Sequence, residues 1–105
     1  MQTLLVQTNC PTEAIANSIA LKMVEARLAA CVNILPRIQS IYHWQGKVES
    51  TTEVPLLFKT TAANYPALEA AIKALHPYSI PEIIALPIEH CLPAYASWIV
   101  AETAQ

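Results

Sequence analysis

The central third of the chain contains two long extended segments on either side of the only glycine in the sequence. Residues 31–44 are rich in β-branched and aromatic residues and are interrupted once, at Pro36, which indicates a strand with a bulge or bend there. Gly46 predicts a tight turn, because glycine readily adopts a positive φ. The partner strand is predicted over 47–61, with Pro55 marking an edge or bulge position. A hairpin of this length is too long for a small domain to cover.

The segments around this hairpin predict a complete α+β fold. They are a strand over 3–8, a helix with its cap at Asn9 or Cys10, a helix over 65–75, a strand over 83–88 and a short helix from Pro93. The first six elements follow the order β-α-β-β-α-β, which is the split repeat of a ferredoxin-like sandwich. We therefore expect one domain over 1–105, with a four-stranded antiparallel sheet, two helices on one face and an extra C-terminal helix.

The composition predicts that the uncovered sheet face and the hairpin pack on another protein surface. The 105 residues are 54% hydrophobic and 13% charged, whereas average proteins have about 25% charged residues. A small domain has a large surface relative to its volume, so it needs polar residues to cover it. No stretch approaches the ~18 apolar residues of a membrane-spanning helix. We therefore expect a homo-oligomer rather than a membrane protein.

Several function classes are excluded or disfavoured by simple counts. One glycine cannot form a G-x-G-x-x-G or Walker A phosphate loop. A net charge of −2 and a pI near 5.8 argue against a nucleic-acid partner. The N-terminal residues lack the basic region and apolar core of a signal peptide, so we expect a cytoplasmic protein whose three cysteines are reduced. No nucleophile, base and orienting residue form a recognisable set, so an enzyme is the weakest hypothesis.

A set of short motifs spread along the chain carries a resemblance to a known family. The motifs are Leu28-Ala29-Ala30-Cys31-Val32-Asn33, Ser40-Ile41-Tyr42 with Trp44, Gly46-Lys47, Glu53, Lys59-Thr60, His76-Pro77-Tyr78, Pro81-Glu82-Ile83, and Tyr95 with Trp98. In this order and spacing they resemble the CutA divalent-cation tolerance family. The resemblance implies a non-enzymatic homotrimer, similar to PII signalling proteins, with clefts between subunits. It also implies a link to tolerance of copper and other divalent metals, with no required cofactor.

Three residues are candidate metal ligands. Cys31 is either a soft ligand for a metal such as Cu(I) or a small hydrophobic residue of the core. Cys10 is either a reactive thiol whose pKa is lowered by the helix N-terminus or an exposed cap residue without function. His76 either binds metal or, when protonated, satisfies the last carbonyl groups of the second helix.

The resemblance also shows where this sequence departs from a proposed ligand set. Some relatives have a cysteine at the position of Thr8 and a second histidine at the position of Leu75. Of the three proposed ligands, this chain retains His76 alone. The adjacent pair His90-Cys91 shows no metal-ligand spacing, so we expect a surface loop there.

A second group of residues either packs as anchors at an interface or, as the resemblance implies, lines a ligand cleft between subunits. Its members are aromatic or charged residues at unusual positions: Tyr42, Trp44, Lys59, Glu82, Tyr95 and Trp98. Lys59 and Glu82 are predicted in apolar strands, where an unpaired charge is costly, so they either pair or point into a cleft. The leading hypothesis is therefore a metal-tolerance trimer that binds metal weakly, and the alternative is a PII-like sensor whose clefts bind a small ligand.

Overall fold

The computed structural model describes residues 1–105 as five strands and three helices. In chain order they are β1 (Thr3–Cys10), α1 (Glu13–Glu25), β2 (Cys31–Ile34), β3 (Ile38–Trp44), β4 (Lys47–Thr61), α2 (Tyr65–Leu75), β5 (Ile83–Pro87) and α3 (Pro93–Glu102). This order confirms the α+β fold predicted from the sequence, including the C-terminal helix. None of the helices combines the length and apolar character that a membrane crossing requires.

The sheet is antiparallel throughout and is organised around the 15-residue strand β4. The main strand order is β2-β4-β1-β5, and β3 pairs with the other end of β4. The second half of β4 lies between β1 and β2, so that Phe58 is opposite both Val6 and Val32. The first half pairs only with β3, and this two-stranded hairpin extends beyond the sheet.

The hydrophobic core lies between one face of the sheet and the helices α1 and α2. Val6, Leu56 and Phe58 come from the sheet, and all three are fully buried. Since side chains alternate between the faces of a strand, these residues share one face. The core side chains contributed by the helices are Ala16, Ile19, Ala20, Met23, Leu68 and Ile72.

The predicted single strand over 31–44 is divided into two in the structure. Residues 35–37 separate β2 from β3, so the expectation of one continuous bent strand was wrong. Pro36 has no N–H group to donate to a neighbouring strand. The N–H group of the preceding residue, Leu35, donates to Pro55 O at 3.0 Å. Pro55 itself is buried and lies between two neighbours, since it pairs with Asn9 of β1 on one side and accepts the Leu35 hydrogen bond on the other. It therefore lies inside the sheet and not at an edge. The turn at Gly46 is confirmed, with φ of 80°.

The start of α1 also differs from the prediction. The strand β1 continues through Asn9 and Cys10, two residues predicted as the cap, and Thr12 is the N-cap. The Thr12 hydroxyl oxygen accepts a hydrogen bond from Ile15 N at 3.2 Å. Cys10 is consequently a core residue of the strand, fully buried, and not an exposed cap.

The sheet face opposite α1 and α2 is only partly covered. The helix α3 packs there, with Ile99 fully buried. On β5, Ile84 and Leu86 are 49% and 58% exposed. They lie opposite Gln7 and Leu5 of β1, on the face away from the core. We call this sheet face, on which α3 leaves the apolar side chains of Ile84 and Leu86 exposed, the open face.

Candidate functional site

A pocket lies where the hairpin leaves the sheet. It has a volume of about 560 Å³ and is formed by the end of β1, the strand β3, one residue of β4 and the loop between α2 and β5. Its walls are Asn9, Ser40, Ile41, Tyr42, Trp44, Glu53, Tyr78, Ser79, Ile80 and Glu82. Aromatic rings and carboxylates therefore face the same space.

Hydrogen bonds to β1 hold the loop that carries Glu82. The Thr8 hydroxyl donates to Glu82 O at 2.7 Å, and Asn9 Nδ2 donates to Glu82 Oε2 at 3.4 Å. Glu82 directly precedes β5, so it is a loop residue and not a strand residue as the sequence predicted. These two hydrogen bonds hold the Glu82 main chain against β1 and its carboxylate near Asn9 at the pocket.

His76 connects this loop to β1 through both ring nitrogens. Nδ1 accepts a hydrogen bond from Tyr78 N at 3.2 Å, so Nε2 carries the proton that is donated to Asn9 O at 2.7 Å. The predicted role at the carbonyl groups of the preceding helix was wrong, since the ring reaches β1 instead. His76 is buried, and neither nitrogen is free to bind a metal.

Glu53 is a buried carboxylate in the pocket wall. It is 8% exposed, and its Oε2 accepts a hydrogen bond from the Tyr78 hydroxyl at 3.1 Å. Burial raises the pKa of Tyr78 to about 12, and the hydrogen bond to Glu53 and its charge act in the same direction. The negative charge of Glu53 thus helps to raise the pKa of Tyr78. No cationic side chain of the chain forms an ion pair with Glu53.

The six residues predicted to line one cleft lie in three places within the subunit. Tyr42, Trp44 and Glu82 share the pocket. Lys59 lies on the open face, where its Nζ donates to Asn33 Oδ1. Tyr95 and Trp98 stack on α3 with their rings 5.4 Å apart and are not part of the pocket.

A second cluster surrounds Tyr95. Its hydroxyl lies 3.3 Å from Cys31 Sγ, and the hydrogen bond with Cys31 is the largest cause that raises the pKa of Tyr95 to about 12. Burial, the Cys31 charge and the Cys91 charge also raise this pKa. Cys91 lies in the loop between β5 and α3, where the sequence predicted a loop.

The three predicted metal ligands do not meet within one subunit. No group of three or more His, Cys, Asp or Glu side chains is arranged to hold a metal ion. Cys10 is enclosed in the core, and burial followed by the charge of Glu53 raises its pKa to about 11. The expectation of a thiol activated by the helix N-terminus was therefore wrong. Of the three, Cys31 alone is partly exposed, and the hydrogen-bond partner of its sulfur is the Tyr95 hydroxyl.

We expect Cys10 to be inert to thiol reagents in the folded protein. A pKa of about 11 instead of 9.0 lowers the thiolate fraction near pH 8 by about 100-fold, and burial blocks access as well. Titration with a chromogenic disulfide should detect Cys10 only after denaturation. In a Cys10→Ala variant the native thiol count should not change, while the denatured count falls by one. A lower native count in that variant would contradict the assignment.

Asn9, Glu53 and Tyr78 contribute to the pocket but were not predicted as ligand residues. Asn9 was predicted at a helix cap. In the structure it forms hydrogen bonds with Glu82 and His76, which are more than 60 positions away in the sequence. Glu53 and Tyr78 appeared only within motifs. The one available signal was a charged residue, Glu53, next to an apolar run in β4.

The fold and the pocket together define a ferredoxin-like protein with an extended hairpin and an uncovered sheet face. The model of a family described as CutA1 divalent ion tolerance protein matches residues 4–102. The chain therefore belongs to this family, as the motifs indicated.

Individual relatives agree with this assignment. The divalent-cation tolerance protein CutA of Thermus thermophilus is 50% identical over 93 residues, which cover 89% of this chain and 90% of the relative. Protein CutA of Mus musculus is 48% identical over 90 residues, which cover 86% of this chain but 51% of the relative. The chain thus spans about half the length of the mouse relative.

Solved structures show the same fold. A divalent cation tolerance protein from Thermus thermophilus superposes with a TM-score of 0.95 at 47% identity, covering 97% of this chain and 99% of that chain. CutA1 from Oryza sativa superposes with a TM-score of 0.96 at 36% identity, covering 100% and 96%.

Proposed function

We propose that this chain is a non-enzymatic cytosolic protein of divalent-cation tolerance that acts as a homotrimer. The family to which the chain belongs supports the tolerance role. The observation that carries the oligomeric part is the open apolar face of the sheet. A cytosolic setting is supported by the three free cysteines, because reduced thiols are typical of reducing compartments.

Three-fold assembly accounts for several exposed apolar residues at once. Ile84 and Leu86 project from the open face, and Ile41 and Val48 from the hairpin. Large apolar side chains exposed in such numbers are typical of proteins with an interaction surface. Light scattering tests the proposal directly: we expect about three times the subunit mass of 11.5 kDa, and a monomer at micromolar concentration would contradict it.

For metal binding, we propose that Cys31 and Cys91 form the contact with a soft ion. The Cys31 sulfur lies 3.3 Å from the Tyr95 hydroxyl, the Cys91 charge raises the pKa of the same hydroxyl, and both cysteines are partly exposed. Thiolates suit Cu(I) better than hard divalent ions such as Mg²⁺. Two ligands without a third predict weak binding rather than a closed structural site.

We expect Cys31→Ser and Cys91→Ser to weaken Cu(I) binding by about tenfold or more each, since each removes one soft ligand. Competition with a chromogenic Cu(I) chelator under anaerobic conditions measures this effect. Cys10→Ala is the matched control because its sulfur is buried in the core, and it should bind copper like the parent. If both surface variants also bind like the parent, the thiols are not the ligands.

A second function is favoured by the pocket itself. Its volume of about 560 Å³ lies in the ~300–1,000 Å³ range of small-molecule sites. We propose, as the alternative, a PII-like role in which this pocket binds a small ligand and the adjoining hairpin transmits the bound state. A ligand screen by thermal shift tests it: a compound that raises Tm in the parent but not in Glu82→Gln supports the role. Absence of any stabilising compound would count against it.

A further inference from the structure

The walls of the pocket carry negative charge without a matching cation. Glu53 and Glu82 both face it, and none of its lining residues is Lys, Arg or His. The two ion pairs of the chain, Arg27–Glu102 and Arg37–Glu13, lie elsewhere. A ligand that enters this pocket therefore meets two carboxylates that no basic side chain neutralises.

Of the two carboxylates, that of Glu53 belongs to the more buried residue. It is more than nine-tenths buried, and its hydrogen bond from Tyr78 occupies Oε2. Glu53 Oε1 has no hydrogen-bond partner in the chain. Every buried side-chain nitrogen or oxygen does have such a partner, so Oε1 is not a buried atom. Oε1 is therefore accessible, and the accessible side of Glu53 is the pocket. A buried carboxylate is costly unless it is paired, so this oxygen is suited to a cationic partner.

The remaining walls favour an organic cation over a bare metal ion. Tyr42, Trp44 and Tyr78 supply aromatic surfaces, and two isoleucines add apolar area. Aromatic rings attract ammonium groups through their quadrupoles, most strongly for tryptophan. A divalent metal instead prefers several oxygen, nitrogen or sulfur ligands, and no cluster of three such acidic or soft groups exists here.

We propose that this pocket binds a small organic ammonium ion, with Glu53 and Glu82 as counter-charges and the aromatic rings as its apolar walls. The inference rests on the ligand-binding role proposed above and specifies the chemical class of the ligand. The ammonium group lies near Glu53 Oε1, and its alkyl groups contact Trp44. The bound cation would then balance the charge that the chain leaves unpaired.

The test compares choline with 3,3-dimethyl-1-butanol, which has the same shape and no charge. The chain has two tryptophans, so a Trp98→Phe protein leaves Trp44 as the fluorescence reporter in the pocket. We expect choline to change this fluorescence saturably and the neutral alcohol to bind at least about tenfold more weakly. Glu53→Gln, which retains an acceptor for Tyr78, should weaken choline binding by about tenfold or more and leave alcohol binding unchanged.

Two further proteins complete the test. Glu82→Gln should also weaken choline binding, and it avoids substitution of a buried residue. Glu25→Gln is the matched control, since it removes an exposed carboxylate of α1 outside the pocket; it should bind like the parent. Equal binding of choline and the alcohol would overturn the ammonium proposal but leave the ligand-binding role. Absence of binding by both would overturn the ammonium proposal, and the ligand screen by thermal shift then decides the wider role separately.

Discussion

Replacement of Leu86 by glutamate is expected to convert the proposed trimer into monomers. Leu86 is 58% exposed in the subunit and lies on the open face of the sheet, so the isolated subunit tolerates a charge there. In the trimer the same position would be buried, and an unpaired carboxylate in an interface costs at least about 3 kcal/mol. Three-fold symmetry repeats this cost in every subunit. Light scattering should therefore show a decrease from about three times 11.5 kDa to a single subunit.

The matched control for this experiment is Leu21→Glu. Leu21 is 61% exposed and belongs to α1, on the other side of the sheet, so its replacement should leave the trimer intact. Circular dichroism of both variants checks that the subunit remains folded. A Leu86→Glu protein that is folded and still trimeric would show that the subunits do not associate through this face.

Local patterns were sufficient to predict most elements of the subunit. The limits of β4 and α2 agree with the prediction to the residue, because a Gly-containing turn starts the strand and His76-Pro77 ends the helix. The errors occurred where a tertiary contact decided the outcome. Thr12 rather than Asn9 caps α1, since pairing with β4 keeps the preceding residues extended through Asn9↔Pro55.

The pocket was less predictable than the fold for the same physical reason. Tyr42, Trp44 and Glu82 were selected for their residue type, which indicates an unusual environment but not which residues meet. Their neighbours are fixed by long-range hydrogen bonds, such as Tyr78 to Glu53. For Cys10, the local pattern indicated the wrong chemistry. Its position near a helix N-terminus suggested an activated thiol, but its pairing with β4 buries the side chain in the core.

His76→Ala is expected to destabilise the protein strongly without affecting the soft-metal site. The substitution removes the donor to Asn9 O and the acceptor of Tyr78 N, and each polar group left unpaired costs about 1–3 kcal/mol. We therefore expect the free energy of unfolding to fall by about 2–6 kcal/mol. Urea unfolding at equal protomer concentration measures the change, since the stability of an oligomer depends on concentration.

The control and the copper measurement together decide what His76 does. Glu25→Ala removes an exposed side chain of α1, away from the hairpin, and such surface changes alter stability by less than about 0.5 kcal/mol. Under conditions where His76→Ala is folded, it should bind Cu(I) like the parent, because both ring nitrogens of His76 are already occupied within the subunit. A variant that keeps its stability but loses copper would instead identify His76 as a ligand. The hydrogen bonds to Asn9 and Tyr78 would then have to break when metal binds, and their loss would explain why binding is weak.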